Sequence, residues 1–262
     1  MRPPYFALTD VSLAGLDFSA TAVAEAPAYL EKGPMTAAEL GRHAAIAGVA
    51  HAALSQSDDR RRYYLARRAE CRYASNPAPY GAPVRLASRV LSLNKRDARV
   101  AVSVTAEGAA LAQFEVDYAI LTEPTFDRLF RTKAQETASN ANPYRSLLRE
   151  EYARGPDWVE QEIAAVPPHA CAGHFEGYPA LPVAILMGQL AYLAGQLVDE
   201  APRPFRIVHG LVEADDLAWA GESVRFRVVR THREGAELSF SCEASAGGRP
   251  VGSMHLQAEL VE

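Results

Sequence analysis

The chain has no excess of positive charge: 27 Lys and Arg stand against 32 Asp and Glu, a formal charge of -5. Without a global basic field to gather phosphate backbones, nucleic acid is not an expected partner. Cysteine is scarce. Cys71, Cys171 and Cys242 are odd in number, far apart and free of any C-x-x-C spacing, which argues against a disulfide framework and a zinc site and leaves reduced thiols. Long apolar runs are missing too. The longest, Leu181 to Met187 with an Ala-rich continuation to Leu197, is interrupted by Gln189 and Gln196 and is too short and polar to span a bilayer comfortably. Met1-Arg2-Pro3-Pro4 leads into Tyr5, Phe6 and Asp10 rather than an apolar core with a cleavage site, so no secretory leader is read and a cytoplasmic location is expected.

What remains is a globular balance of 48% hydrophobic and 23% charged residues over 262 positions, enough for one large domain or two of about 130 residues. Internal similarity favours two. Leu40 to Gly48 matches Met187 to Gly195 at Gly41/Gly188, Ala44/Ala191, Ala47/Ala194 and Gly48/Gly195, and Gly81 to Leu86 matches Gly221 to Phe226 in the same order. The element order repeats with them. A helix from about Thr36 to Leu54 precedes strand-like runs at Tyr63 to Tyr73, Val84 to Leu93, Val100 to Thr105 and Ala110 to Leu121. A second helix, Val183 to Val198, precedes Arg206 to Glu213, Val224 to Thr231, Glu237 to Glu243 and Gly252 to Leu260. Asn94 to Asp97, Arg233 to Gly235 and Gly247-Gly248 supply the hairpin turns.

The expected fold is therefore α+β: one long helix and a multistranded antiparallel sheet, given twice. The repeats cover 1–122 and 157–262, with a linker at 123–156 that carries a helical stretch at 146–153. Gly41, Gly48, Gly188 and Gly195 each cost a helix interior about 1 kcal/mol relative to Ala. Either close packing requires them or they are tolerated in ordinary buried helices.

Just before the second helix stands Gly173-His174-Phe175-Glu176-Gly177-Tyr178-Pro179-Ala180-Leu181-Pro182. The segment resembles the H-F-x-G-x-P-x-x-P motif of the 3-hydroxyacyl thioester dehydratases of fatty acid synthesis, with identities at His174, Phe175, Gly177, Pro179 and Pro182. The resemblance implies a hotdog fold, a long helix wrapped in a curved antiparallel sheet, and with the internal repeat it implies a double hotdog. It also implies an acyl thioester on acyl carrier protein or coenzyme A as substrate, in fatty acid or polyketide-type metabolism. No cofactor or metal is expected.

Dehydration of a 3-hydroxyacyl thioester needs a base for the proton beside the carbonyl, an acid for the departing hydroxyl, and donors for the enolate-like oxygen. His174 suits the base, since imidazole titrates near neutrality. Pro182 at the helix start would free the amides from Val183 onward to face the thioester carbonyl, with Phe175, Gly177, Pro182 and Val183 forming the substrate-binding segment. Two departures stand out. Val183 replaces a glycine of the family, and Gly188 replaces its acid, fourteen residues after the histidine. In a duplicated chain the acid is sought on the first helix, where Glu39, Arg42 and His43 are the candidates. Glu39 could instead be a solvated first-turn carboxylate, and Arg42 or His43 could bind substrate rather than act as acid. The reciprocal site would pair Ala26-Pro27-Ala28 with Gly188 and has neither base nor acid. Hydrolysis or acyl transfer, and noncatalytic acyl binding, stay open as alternatives. Arg60 to Arg62 and Arg67-Arg68 suit an acidic carrier protein or a phosphopantetheine phosphate, and a solvated strand edge explains them about as well; the chain could be a monomer or a homodimer.

Overall fold

A computed structural model of the chain describes residues 1–135, 142–145, 151–199 and 203–261. Period-two alternation builds most of it. In the strand Asp97–Ala106 (β5), Ala98, Val100, Val102, Val104 and Ala106 are buried while their neighbours face outward, and Glu237–Ala246 (β13) repeats this with Leu238, Phe240, Cys242, Ala244 and Ala246. The other strands of the first half are Thr9–Ala14 (β1), Asp17–Ala22 (β2), Arg62–Tyr73 (β3), Val84–Leu93 (β4) and Ala109–Thr122 (β6). Those of the second are Tyr152–Arg154 (β7), Trp158–Ile163 (β8), Phe205–Ala214 (β10), Val224–Glu234 (β12) and Arg249–Leu260 (β14). Two short strands, Ala180–Leu181 (β9) and Ala218–Trp219 (β11), pair by themselves.

All twelve long and edge strands form one antiparallel sheet in the order β1-β2-β4-β5-β6-β3-β10-β14-β13-β12-β8-β7. The order is a mirror about its centre. β3 and β10 join the halves, with Cys71 opposite Gly210, and the Cys71 Sγ fills the place where a Cβ on Gly210 would stand, 2.8 Å away. Each half wraps a helix: Ala37–Leu54 (α1) packs on β4 and β5, Val183–Gly195 (α3) packs on β12 and β13, and the helices touch each other. Phe226, Leu190 and Phe240 in one core and Leu86, Ile46 and Phe18 in the other are almost wholly buried, each worth about 1.5–3 kcal/mol of transfer free energy. Among the described residues no helix is long and apolar enough to cross a membrane.

The helix glycines divide. A Cβ on Gly48 would collide with the Tyr118 hydroxyl, and one on Gly195 would stand 3.0 Å from the Phe205 ring. Close packing explains both. A Cβ on Gly41 would stand 3.8 Å from the Phe114 ring, an ordinary contact that alanine would tolerate. Because the Tyr118 hydroxyl donates to the Ala45 carbonyl at 2.8 Å, it cannot yield freely. Gly48→Ala is expected to destabilise the chain by about 1–3 kcal/mol despite its better helix propensity, whereas Gly41→Ala is expected to be neutral or stabilising. Urea denaturation of both variants checks this.

Between the halves, Glu123–Phe130 forms a short helix (α2) that buries Phe126 against Tyr63, ring centroids 3.8 Å apart. The helix expected at 146–153 needs correction. Residues 146–150 lie outside the described residues, and Tyr152–Arg154 is strand, paired with Val159 to Gln161 of β8. A short polar stretch nucleates helix poorly, and an open sheet edge offers it backbone partners instead.

Candidate functional site

The motif makes a loop with two glycine-dependent turns, Gly173 at φ 78° and Gly177 at φ 75°, conformations that a Cβ penalises. At Gly173 the missing side chain also admits the amino-terminal arm: the Arg2 amide donates to the Gly173 carbonyl at 2.9 Å, and the Tyr5 nitrogen lies 2.9 Å from where a Cβ would be. Phe175 turns inward. It packs edge-on to Tyr63 and Phe126 and anchors the loop in a cluster with Ala180 and Trp219.

This anchoring sets the His174 ring. Its Nδ1 lies 3.1 Å from the Ala180 carbonyl, an acceptor only, so Nδ1 carries the proton and Nε2 is left bare. The ring stacks on Phe175 at 3.9 Å and meets the Tyr5 ring at 4.9 Å. Burial pushes its pKa down to about 4, outweighing the Ala180 hydrogen bond. The imidazole is therefore neutral at physiological pH.

Pro182 stands at the N-cap of α3 with no side-chain cap, so the amides of Val183 and Ala184 have no partner within the helix. The Ile185 and Leu186 amides return to the Pro182 carbonyl at 2.9 and 3.2 Å. His174, Val183 and Ala184 line one cavity of about 490 Å³, together with Ala45, Ile46 and Val49 of α1. A narrower apolar channel of about 80 Å³ shares the walls Ala45, Ala66, Val183 and Ala184 with it. That channel runs between the two helices and the sheet, past Gly41, Met187 and Phe114. A cavity carrying a few polar groups beside an apolar channel suits the head and tail of an acyl thioester.

Glu39, Arg42 and His43 are not in that cavity. All three are buried, and they pair among themselves and with the preceding loop. The Glu39 carboxylate accepts from the Glu25 amide at 2.7 Å, the Arg42 guanidinium donates to the Glu25 carboxylate, and Asn142 donates to the other Glu25 oxygen at 2.6 Å. His43 Nε2 lies 3.4 Å from the guanidinium and 3.8 Å from Glu39, and burial pushes its pKa down. Glu25, Glu39 and His43 offer ligand atoms within 4.8 Å of one another, yet Arg42 already supplies the positive charge there, and a divalent cation would have to displace it.

Glu39 and Arg42 instead border a small cavity of about 60 Å³ with Ala26, Ala28, Gly188 and Tyr192. This is the reciprocal position, so Glu39 and Arg42 line a different cavity from the motif histidine, and His43 lines neither. Gln189 does not line it but donates to Gln161 at 2.6 Å. The caps fix the register of α1 against α3. Thr36 caps α1 and Pro182 caps α3, which brings Arg42 into correspondence with Gly188. The signal was available in Thr36-x-x-Glu39, the pattern of a helix start; the Thr36 hydroxyl accepts from the Glu39 amide at 3.3 Å.

Two functional candidates escape sequence reasoning. Tyr5 reaches His174 only because the amino-terminal arm docks on Gly173. Glu31, in the segment before α1, accepts from the Ala37 amide at 2.6 Å while burial pushes its pKa up to about 7.

No family model matches the sequence, and no curated protein does. Solved structures do. The chain is similar to a 12:0-ACP thioesterase from Umbellularia californica (TM-score 0.65, 13% identity, 95% of this chain and 96% of that one). It is similar to an acyl-ACP thioesterase from Bacteroides thetaiotaomicron (TM-score 0.62, 13% identity, 93% and 98%). A third likeness is to a protein of unknown function with a hotdog fold from Alicyclobacillus acidocaldarius (TM-score 0.60, 14% identity, 100% and 99%). The chain has a hotdog-type fold.

Proposed function

We propose that the chain is an acyl-thioester enzyme of dehydratase type, acting on a 3-hydroxyacyl group carried by acyl carrier protein or coenzyme A. One observation carries this: a single cavity holds the neutral His174 ring and the uncapped start of α3, and it shares the walls Ala45, Ala66, Val183 and Ala184 with an apolar channel along the helices. The thioester carbonyl sits against the Val183 and Ala184 amides, whose dipoles favour developing negative charge. His174 Nε2 takes the adjacent C2 proton, and the channel receives the chain. Phe175 and Gly177 hold the loop, Pro182 keeps the helix start uncapped, and Val183 narrows the approach.

The mirrored strand order supports taking 1–122 and 157–262 as two hotdog repeats separated by 123–156. One working side in a pair of repeats follows from duplication, which frees the other from selection for chemistry. Glu39, Arg42 and His43 then act from a layer behind the site rather than on the substrate. Arg67, which lines both the cavity and the channel, is suited to a carrier phosphate; Arg61 and Arg62 are engaged with Glu123 at 3.2 Å and Asp58 at 2.7 Å.

Hydrolysis of the thioester is the second reading, favoured by the full-length likeness to acyl-ACP thioesterases and by the lack of a carboxylate in hydrogen-bond contact with His174 among the described residues. There the same imidazole activates water and the same amides hold the oxyanion. Incubation with 3-hydroxyacyl and 2-enoyl thioesters, followed by mass spectrometry, separates the two. Loss or gain of water supports dehydratase chemistry, release of free thiol and acid supports hydrolysis, and unchanged substrate leaves only acyl binding.

A further inference from the structure

The dehydratase reading still lacks its acid. Of the groups lining the His174 cavity that could give a proton, most are engaged elsewhere or exposed. Glu176 is exposed and paired with Arg2 at 2.9 Å. Asp216 is exposed and paired with Arg249 at 3.1 Å, and Asp215 is exposed. The Tyr118 hydroxyl is committed to the Ala45 carbonyl at 2.8 Å; Tyr64, which accepts from the Gln56 amide at 3.2 Å, makes no ring contact with His174 among the described residues. Tyr63 stacks on Phe126 and meets Phe175 rather than His174. Tyr5 is different. It is buried, lines the cavity, and its ring meets the His174 ring at 4.9 Å. Its hydroxyl makes no hydrogen bond among the described residues.

We propose that Tyr5 is the catalytic acid, giving its hydroxyl proton to the departing 3-hydroxyl of the substrate from beside His174. This rests on the dehydratase reading. His174 Nε2 takes the C2 proton, and the C2–H electron pair becomes the C2–C3 double bond. The C3–O bond breaks with its pair going to oxygen, and that oxygen takes the Tyr5 proton and leaves as water. The imidazolium then returns a proton to the phenolate, restoring both groups without any further reactant.

The surroundings fit a donor. Burial pushes the Tyr5 phenol up to about 12, opposed by the charge of Arg42, so the proton is present at neutral pH. Beside a phenolate in that environment an imidazolium gives its proton back readily, since His174 holds one weakly. Position comes from two ties. The Arg2 amide is bonded to the motif loop at Gly173, and the Tyr5 ring packs edge-on to Tyr144 at 5.4 Å, whose own hydroxyl donates to the Ala172 carbonyl at 2.5 Å. Arg42 lies 5.1 Å over the Tyr144 ring. The α1 residues thereby reach the site through Tyr144 and Tyr5, as positioning groups.

The test uses the full chain, Tyr5→Phe, and two substrates: a 3-hydroxyacyl thioester, whose leaving group needs a proton, and its 3-chloro analogue, whose chloride leaves without one. Expected is a loss of roughly 100-fold or more in dehydration, the scale of a missing general acid, with elimination from the 3-chloro compound near the wild-type rate. Equal impairment of both substrates would make Tyr5 structural, and unimpaired dehydration would remove it from the chemistry; either overturns the assignment. If the unaltered protein dehydrates nothing while folded, the dehydratase reading itself fails and takes the Tyr5 role with it, an outcome separable from the others because it appears before any substitution.

Discussion

Substituting His174 with Asn is expected to lower turnover of the acyl thioester by about 10²–10⁴-fold, the range for loss of a positioned base, with the fold intact. Asn is chosen over Ala for a structural reason. The Ala180 carbonyl accepts from His174 Nδ1, and leaving it unpaired would cost about 1–3 kcal/mol; an Asn side-chain amide can still donate there but offers no basic Nε2. Steady-state rates together with a thermal melt separate chemistry from folding. Turnover that survives the substitution would remove the histidine from the mechanism under either reading. The pH profile gives a second check. Since burial holds the ring at about 4 in the folded chain, the acid limb of kcat/KM belongs near that value and not near the ordinary 6.5. Stability follows the same sign: the unfolded chain takes up this proton first, so the His174 contribution is lost as pH falls from about 6.5 toward 4. Glu31, held up at about 7, runs oppositely, its contribution present below its ordinary value and lost as pH rises through 7.

The helices and eight inner strands were legible because alternation and turn residues agree along them. Asn94 to Asp97 closes one hairpin, with the Asn94 side chain accepting from the Arg96 amide at 2.8 Å, and Gly235 and Gly247 close others at positive φ. The outer strands were not legible. β1 is exposed along its whole length and carries no buried face to alternate. β8 alternates in burial, but at Gln161 the buried position is polar and is satisfied by Gln189 across the core, so its apolar pattern is broken where it matters. The site divides in the same way. His174 was readable from a local motif whose spacing dictates the loop. Tyr5 was not, because no spacing within the arm signals that Arg2 will dock on Gly173. Glu39, Arg42 and His43 stood out as polar residues on a small apolar helix, but the face they occupy depends on where that helix starts, and Thr36 sets that start.

Their cluster carries the other large effect. Arg42→Met is expected to destabilise the chain by about 3–5 kcal/mol, because it strands charge rather than merely deleting a contact. The Glu39 and Arg42 side chains are 5% and 2% exposed and that of Glu25 is 16% exposed, so water cannot replace the guanidinium around both carboxylates. Three atoms of the cluster, Glu39 Oε2, Arg42 Nε and His43 Nδ1, already lack hydrogen-bond partners among the described residues; the charge balance, more than perfect pairing, holds it together. Neutralising the carboxylates in the same background, with Glu25→Gln and Glu39→Gln added to Arg42→Met, should therefore recover much of the loss even though more native groups have been removed. The control is Arg99→Met, whose partner Glu115 lies on the exposed face of the sheet and whose loss should cost less than about 1 kcal/mol. Urea denaturation of the four chains decides it: if Arg42→Met costs no more than Arg99→Met, the carboxylates are hydrated and the cluster is not the buried charge centre described above.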